Sequence, residues 1–472
     1  MKLTLKSLLR MSENLTNLYK NYAVYLPSIQ QQYAELATRS NKSFTRKNIP
    51  KNFKFEDTNF LNENSKLWSC GWGLYSSGQF EKAQIRKNDI VKDRDRTKTT
   101  IIGDSGGFQL GTGAISNTKE KEHLERYKHD ANEQIANWAD SGFRERTLKW
   151  LDRYADYAVT LDMVLWATES LNKKHAEKSQ IRKLSIQQLI DLSVDNLEYF
   201  ANYRGTWGKG AKILNVLQDI GNGTGDIWYD AVKDFDFEGW ALGSDTGKVF
   251  DSIKWLRRLL EDKKLEKTEL VHILQKSPPF KSIVYTSAQR ALRKVLGRDN
   301  FTITFDSSSP FRLVGLRNAF ALPPKFTSDE NSWVISNEIL KQDIRLARNE
   351  ITKPFPFHSP LSKFMTMNNL YAHDKDDSDR YNDSYSNQLM VNHNLYTYHK
   401  ASIDACDLIF SDTKKDETKV PSKYLEICNL VEQYFTDDNK DEIEKKLEQL
   451  TSKTADKEAG IALYNDELDE RR

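Results

Sequence analysis

The chain has 472 residues, 38% of them hydrophobic and 29% charged, with 10 Trp, 20 Tyr and 22 Phe, which excludes a wholly disordered protein. The formal net charge is only +2, so affinity for a polyanion would have to come from local patches. The chain has no apolar run of membrane-spanning length, no apolar leader with a small-residue cleavage site, and only three scattered cysteines. We therefore expect a cytoplasmic protein of two or three domains, or one large domain with appendages.

Short apolar or β-branched runs alternate with helical patterns over the first part of the chain. We predict strands at Tyr22–Leu26, Leu67–Cys70, Thr99–Gly103, Tyr157–Met163, Ala211–Gln218, Phe237–Gly243, Leu270–Leu274 and Phe301–Phe305. Helical spacing of apolar residues occurs in His123–Ala155, Ile181–Tyr203, Val249–Leu260 and Ile283–Leu296. Alternating strands and helices indicate a parallel sheet, and eight strands in about 300 residues favour a TIM (β/α)8 barrel over an open doubly wound sheet.

The pattern changes after about Phe320. A proline-containing stretch and the polar, acidic segment Asp374–Asn387 follow, and then two amphipathic helical patterns at Tyr424–Phe435 and Asp441–Leu450. We predict a barrel domain over residues 1–320 and a mostly helical C-terminal region over residues 321–472.

Polar residues follow the carboxyl ends of several predicted strands. Asp104, Asp162, Gln218 and Asp306 all occupy such positions, and in a barrel these ends surround one pocket. A single Asp at such a position ordinarily caps the next helix. Several together, in apolar surroundings such as TLDMV and TITFD, are unfavourable unless they are paired or functional. The sequence therefore predicts a site at this end of the barrel.

These segments, in this order, resemble the tRNA-guanine transglycosylase superfamily, whose members are TIM barrels. IIGDSGGFQL contains a DSGGFQ signature, and VTLDMV, LNVLQD and FEGWALGS are similar to the segments that contact the purine base. LVHILQKSPP stands where the family has a YLMGVG-like strand, and FTITFDSSSP is similar to the segment that carries the nucleophilic Asp. The resemblance covers roughly Thr99–Pro310.

The resemblance implies a base exchange at a sugar C1′, in which a carboxylate holds the sugar while one base leaves and another enters. Asp306 is expected to be the nucleophile, and Asp104 to protonate the departing guanine and deprotonate the incoming base. The expected base-binding residues are Ser105, Gly106, Gly107, Asp162, Gln218, Gly243 and Ser244. Phe108 is expected to pack beneath the two glycines or the base. This chemistry needs neither a metal nor an organic cofactor.

The sequence departs from the tRNA-acting members in two respects. It lacks their CxCxxC zinc motif, and Ser244-Asp245 replaces the Gly-Leu of their base-contacting turn. The missing zinc module and the different C-terminal region make the chain most similar to the DNA-guanine transglycosylases of phages and bacterial genomic islands. Four downstream residues, Cys406, Cys428, His393 and His399, have no usual zinc spacing, and the thiols are expected to be ordinary buried ones.

The segment Arg39–Lys54 is a candidate nucleic-acid surface because it contains cations and no acid. Its cations are Arg39, Lys42, Arg46, Lys47, Lys51 and Lys54. Phe44 and Phe53 would add base stacking, although a solvated basic loop is an equal alternative. Because a base within a duplex cannot reach a barrel pocket, the substrate would be single-stranded or flipped. The Gly221–Gly225 stretch lacks the Lys-Ser/Thr of a phosphate loop and is expected to form a turn near the pocket.

The leading hypothesis is an enzyme that exchanges guanine in DNA for a 7-deazaguanine such as 7-cyano-7-deazaguanine. A tRNA-guanine transglycosylase is the alternative of the same fold. A non-catalytic nucleic-acid-binding subunit is a third possibility, but it would need neither Asp104 nor Asp306. A glycoside hydrolase is weaker still, because Gln218 and the DSGGFQ turn suit a base better than a sugar cleft.

Overall fold

The computed structural model describes residues 13–44, 48–79, 88–112, 130–140, 142–169, 179, 181–244, 249–274, 277–326, 333–341, 343–371, 383–411, 419–437 and 440–451. Its centre is a closed barrel of eight parallel strands. The strands are β1 (Val24–Ile29), β2 (Trp72–Ser76), β3 (Thr100–Asp104), β4 (Tyr157–Val159), β5 (Lys212–Asp219), β6 (Gly239–Ser244), β7 (Leu270–Ile273) and β8 (Thr302–Ser307). Neighbours along the chain pair in order, and β8 closes on β1, with Asp306 opposite Leu26. The predicted TIM (β/α)8 barrel is confirmed.

The second barrel strand lies after the predicted position. Trp68–Ser69, within the predicted run Leu67–Cys70, pairs with Glu13–Asn14 outside the barrel, and Trp72–Ser76 forms β2 instead. Gly73 accounts for the error, because glycine inside a strand weakens the sequence signal. A Cβ at Gly73 would lie 2.9 Å from the Ile29 side chain, so β1 and β2 pack closely only with glycine there.

Helices cover the outside of the barrel. They are α1 (Gln31–Leu36), α2 (Gly107–Gly111), α3 (Ala131–Asp140), α4 (Phe143–Tyr154), α5 (Ile186–Tyr203), α6 (Thr224–Val232), α7 (Val249–Glu261), α8 (Phe280–Leu296) and α9 (Ser309–Arg317). The stretch predicted as one helix over His123–Ala155 is interrupted at Gly142, whose φ is 61°, while residues 123–129 lie outside the described part of the chain. Helix α5 begins after Ser185, which forms a capping box with Gln188.

The amino end of the barrel is held by ion pairs. Arg94 and Arg96 each place a guanidinium nitrogen 2.7 Å from Asp156, which directly precedes β4. Arg204 makes the equivalent contact, at 2.8 Å, with Glu238 directly before β6. These carboxylates are neutralised by cations, as is typical of the stabilising face of this fold.

The C-terminal region is helical, as predicted, and packs on the barrel. After the antiparallel pair Ala319–Ala321 and Asn337–Ile339 come α10 (Ile344–Ala347), α11 (Ser384–Phe410), α12 (Ser422–Thr436) and a helix over 440–451. Helix α11 is joined to the barrel domain by buried hydrogen bonds, such as the bond from Asn394 Nδ2 to the Pro310 carbonyl of α9 at 3.1 Å. No helix in the described segments combines the length and apolar character needed to cross a membrane.

Helix α11 was not predicted. It is buried on most of its circumference and carries polar residues such as Asn392, Asn394 and His399 among the buried ones, so it lacks a one-sided apolar pattern. Its first residues also fall within the segment predicted as a polar loop, Asp374–Asn387. The helix begins at Ser384, where the Asp383 carboxylate accepts a hydrogen bond from the main-chain N–H of Ser386; residues 372–382 lie outside the described segments.

Candidate active site

Three carboxylates and one amide meet at the carboxyl end of the barrel. Asp104 ends β3, Gln218 lies near the end of β5, Asp306 lies near the end of β8, and Asp162 follows β4. Besides burial, the charge of Asp306 raises the pKa of Asp104, and the charge of Asp104 raises the pKa of Asp162. Asp104 therefore interacts with both of the other carboxylates, although the three were predicted from separate segments.

Asp104 is placed to hold a proton. Burial, the largest cause, and the charge of Asp306 raise its pKa above the usual value, against the lowering effect of hydrogen bonds from Ser76 and the main chain of Gly106. Ser76 lies directly opposite Asp104 in the β2–β3 pair. Among the described residues, no Lys or Arg forms an ion pair with this carboxyl group. A carboxyl group with a raised pKa keeps its proton to a higher pH than an ordinary carboxyl group does, which suits it to general acid catalysis.

Asp162 and Gln218 form a pair. The Gln218 side-chain amide donates to Asp162 Oδ2, while its Oε1 accepts from the main-chain N–H of Leu165 at 2.9 Å. Burial first, and then the charge of Asp104, raises the pKa of Asp162 to about 7. Near neutral pH this site can therefore present either a carboxylate or a carboxylic acid to a ligand.

Helix α5 fixes the loop that carries Asp162. The main-chain N–H of Met163 donates to Ser193 Oγ at 2.9 Å, and Asn196 Nδ2 donates to the Leu161 carbonyl at 3.0 Å. These two bonds hold the residues on either side of Asp162. The carboxyl group is thus positioned by buried contacts from a long helix, as a preorganised site requires.

The DSGGFQ loop approaches Asp162 closely because it contains two glycines. Gly106 has a φ of 90°, and a Cβ at Gly107 would lie 2.7 Å from Asp162 Oδ1. Ser105 has no exposed surface, and its hydroxyl donates to the Thr160 carbonyl at 3.0 Å. In this structure the Ser105 side chain therefore ties two strand ends together, whereas the glycines shape the wall of the site.

Asp306 lies next to a histidine that sequence reasoning missed. His272 of β7 is fully buried, with Nδ1 2.9 Å from Thr304 Oγ1 and Nε2 3.5 Å from Asp306 Oδ1. His272 is directly opposite Thr304 in the β7–β8 pair. The sequence signal that could have identified it is a histidine in the otherwise apolar run LVHIL. His272 is two residues before the end of that run, which leads to the carboxyl end of the barrel.

The other predicted base-binding residues end β6. Gly243 lies opposite Gln218 and Ser244 lies opposite Asp219, so both residues lie at the same end of the barrel as the carboxylates. In the nearby Gly221–Gly225 stretch, residues 221–223 form a turn and Thr224 begins α6; the Gly221 N–H donates to Asp219 at 2.8 Å. Asp219 also accepts a hydrogen bond from Trp255 and is a structural carboxylate.

Two aromatic residues stand beside Asp162 at the surface. Phe108 is 50% exposed, and its ring centroid lies 5.6 Å from that of Trp166. Trp166 lies in the 3-10 turn Leu165–Ala167 just after Asp162. Phe108 is thus not enclosed beneath the loop, and the pair offers an exposed aromatic surface at the edge of the site.

The basic segment is only partly described. Arg39, Lys42, Lys51 and Lys54 are exposed, and none of them forms an ion pair with another described residue; Arg46 and Lys47 lie outside the described part of the chain. The expected base stacking by Phe53 is wrong, since that ring is buried. Phe44 packs on Phe55 and Tyr385. What the structure leaves exposed are cations, which suit phosphate contacts rather than stacking.

The downstream cysteines and histidines have structural partners. Cys406 and Cys428 are buried, and Cys406 Sγ lies 3.3 Å from Thr286 Oγ1. His393 Nε2 bonds to the Ala321 carbonyl, and His399 Nδ1 bonds to the Tyr19 hydroxyl, each at 2.9 Å. Within the described segments, no three His, Cys, Asp or Glu side chains are grouped as metal ligands.

No model of a protein family matches the chain, and no curated protein matches it either.

Proposed function

We propose that the protein is a transglycosylase that replaces guanine in DNA by a 7-deazaguanine derivative. The observation that carries this proposal is the meeting of Asp104, Asp162 and Asp306 with Gln218 at the carboxyl end of one barrel. Each occupies the position that the resemblance assigns to a catalytic or base-binding group. Perturbed carboxyl groups at this face of a TIM barrel are typical of a catalytic site.

The proposed reaction consists of two displacements at the sugar C1′. In the first, an Asp306 carboxylate oxygen bonds to C1′ while the bond from C1′ to guanine N9 breaks, and its electron pair leaves with the base. Asp104 gives its proton to the departing guanine. In the second, N9 of the incoming base attacks C1′ and loses its proton to Asp104, and the bond electrons return to Asp306. The configuration at C1′ is retained.

The Asp162–Gln218 pair is the proposed reader of the base. A carboxylate accepts hydrogen bonds. Beyond its bonds to Asp162 and to the Leu165 N–H, the Gln218 amide has a second Oε1 lone pair and a second N–H, whose contact with the Met163 carbonyl is long at 3.5 Å. Guanine and its 7-deaza analogues carry N–H donors beside a carbonyl acceptor, so the pair complements that edge. A base lacking this pattern would leave buried groups without partners, which gives strong discrimination. Phe108 and Trp166 offer an apolar surface against which a flipped base can stack.

DNA is proposed over tRNA because the sequence lacks the zinc motif of the tRNA-acting members. The exposed cations Arg39, Lys42, Lys51 and Lys54 suit the phosphates of either nucleic acid. The test is incubation with 7-cyano-7-deazaguanine and either guanine-labelled DNA or guanine-labelled tRNA, followed by nucleoside analysis. Release of guanine and incorporation of the analogue in DNA would support the proposal. Incorporation only in tRNA would reassign the substrate, and incorporation in neither would refute the exchange activity.

A further inference from the structure

We propose that His272 is a positioning residue for the nucleophile, holding one oxygen of Asp306 so that the other faces the sugar. This inference rests on the proposed function and adds to it a residue that the family resemblance does not supply. The observation behind it is a fully buried imidazole whose Nε2 lies 3.5 Å from Asp306 Oδ1 and has no shorter hydrogen bond to any residue in the described part of the chain.

The hydrogen-bond partners of His272 determine which nitrogen faces Asp306 with a proton. Nδ1 lies 2.9 Å from Thr304 Oγ1, and a threonine hydroxyl is able to donate to it. In the neutral tautomer that carries its proton on Nδ1, the Nε2 lone pair would face a carboxylate oxygen in a buried setting, which is unfavourable. In the neutral tautomer that carries its proton on Nε2, and also in the imidazolium, Nε2–H faces Asp306. The proposal therefore holds for either charge state of the ring.

The placement of the pair suits a positioning role. His272 and Thr304 are opposite each other on β7 and β8, so the ring is fixed by two paired barrel strands. Asp306 is two residues beyond Thr304 on the same strand. His272 also lies within electrostatic reach of Asp104, the proposed acid and base. The imidazole thus lies beside Asp306 and acts electrostatically on Asp104, the two carboxylates that the proposed reaction uses.

The contact acts in both halves of the reaction. With Oδ1 held by Nε2–H, Oδ2 is the oxygen that bonds to C1′, and the attack geometry is set before the base leaves. In the covalent intermediate, Oδ1 is the carbonyl oxygen of the glycosyl ester, and the N–H polarises it. When the incoming base attacks, the C1′–Oδ2 bond electrons return to Asp306, and the hydrogen bond to the restored carboxylate strengthens. His272 therefore makes Asp306 a better leaving group in the second step.

The test compares His272→Leu, which removes the donor, with His272→Gln, whose amide nitrogen restores a donor near the position of Nε2. A base-exchange assay on guanine-labelled DNA gives kcat and the KM for 7-cyano-7-deazaguanine. We expect kcat of His272→Leu to fall by about ten- to a hundredfold, the cost of a misplaced reacting group. The KM for the base should stay unchanged, and His272→Gln should recover most of the lost kcat.

A second measurement follows the covalent protein–DNA adduct. The adduct is formed without an incoming base and then chased with excess 7-cyano-7-deazaguanine, and its decay should be slower in His272→Leu than in wild type. Gln289→Leu is the matched control, because Gln289 Oε1 accepts a buried hydrogen bond from the Ile303 N–H of β8 at 2.7 Å. It should lower the melting temperature while leaving the decay of the adduct unchanged.

The outcomes separate the inference from the function on which it rests. Wild-type protein that exchanges no base in either DNA or tRNA would refute the proposed function. Wild-type exchange that His272→Leu matches would refute only the role of His272. Equal losses of kcat in His272→Leu, His272→Gln and Gln289→Leu would assign His272 to packing and overturn the inference.

Discussion

The raised pKa of Asp162 predicts that base affinity depends on pH. Burial and the charge of Asp104 bring this pKa to about 7. A guanine-type base offers N–H donors, which an ionised carboxylate accepts and a protonated one accepts less well. Base binding should therefore strengthen as the pH rises through about 7.

The expected effect follows from the ionised fraction of Asp162. With a pKa of about 7, that fraction is about 0.9 at pH 8 and about 0.1 at pH 6. The apparent Kd should therefore be about tenfold higher at pH 6 than at pH 8. Calorimetric titration with 7-cyano-7-deazaguanine at several pH values measures this directly. In Asp162→Asn, binding should be weaker at pH 8 and nearly independent of pH. Wild-type affinity that is flat, or that rises as the pH falls, would refute the assignment.

The raised pKa of Asp162 also predicts how the stability of the folded protein depends on pH, in the direction opposite to base affinity. The folded-state pKa of Asp162 lies above 3.8, the ordinary value for an Asp side chain. The folded protein therefore binds this proton more tightly than the unfolded chain does. The stability from this group is present below the unfolded pKa and is lost as the pH rises through about 7. Asp162→Asn should therefore be more stable than wild type at pH 8, by about 2–4 kcal/mol after allowing for partial solvent access, and similar near pH 4. Denaturant unfolding at both pH values checks this, and lower stability of Asp162→Asn together with unchanged base affinity would make Asp162 a structural residue.

Three further outcomes are expected. Asp306→Ala should abolish exchange and Asp306→Asn nearly so, since an amide is a poor nucleophile, and only wild type should leave DNA covalently attached after denaturation; an active Asp306→Ala would overturn the assignment. Gly107→Ala places a Cβ 2.7 Å from Asp162 Oδ1, and should weaken base binding about tenfold in calorimetry through overpacking, whereas unchanged affinity would mean that the loop yields. Replacing Lys51 and Lys54 by Ala should lower the slope of log affinity for DNA against log salt by about two units; an unchanged slope would remove both residues from the DNA surface.

The barrel could be predicted because its signals are local and repeated. Eight apolar runs occur in the barrel part of the sequence, helical patterns separate several of them, and the closed parallel order follows from that alternation. The least accurate strand prediction was that of β2, where Gly71 and Gly73 lie on either side of Trp72. Close strand packing there requires glycine, and glycine carries no strand signal of its own.

The candidate site was predictable only as far as charge and order along the chain could lead. Asp104, Asp162 and Asp306 stood out because carboxylates are unusual in apolar segments. His272 did not, because a single histidine in a strand is ordinarily a satisfied core residue, and its contact with Asp306 depends on the register of β7 against β8. Interactions set by register are not visible in the spacing of one segment.

Charge is used in opposite ways at the two ends of the barrel. At the amino end, Asp156 and Glu238 face guanidinium groups at 2.7–2.8 Å, so their charges are compensated. At the carboxyl end, burial and mutual repulsion raise the pKa values of Asp104 and Asp162, and no described Lys or Arg forms an ion pair with either. That arrangement lowers the stability of the folded protein, since a cation beside either carboxylate would stabilise the charged form of that group. The same strain is what proton transfer and base recognition near neutral pH require, and it supports a catalytic role for this end on physical grounds that do not depend on the sequence resemblance.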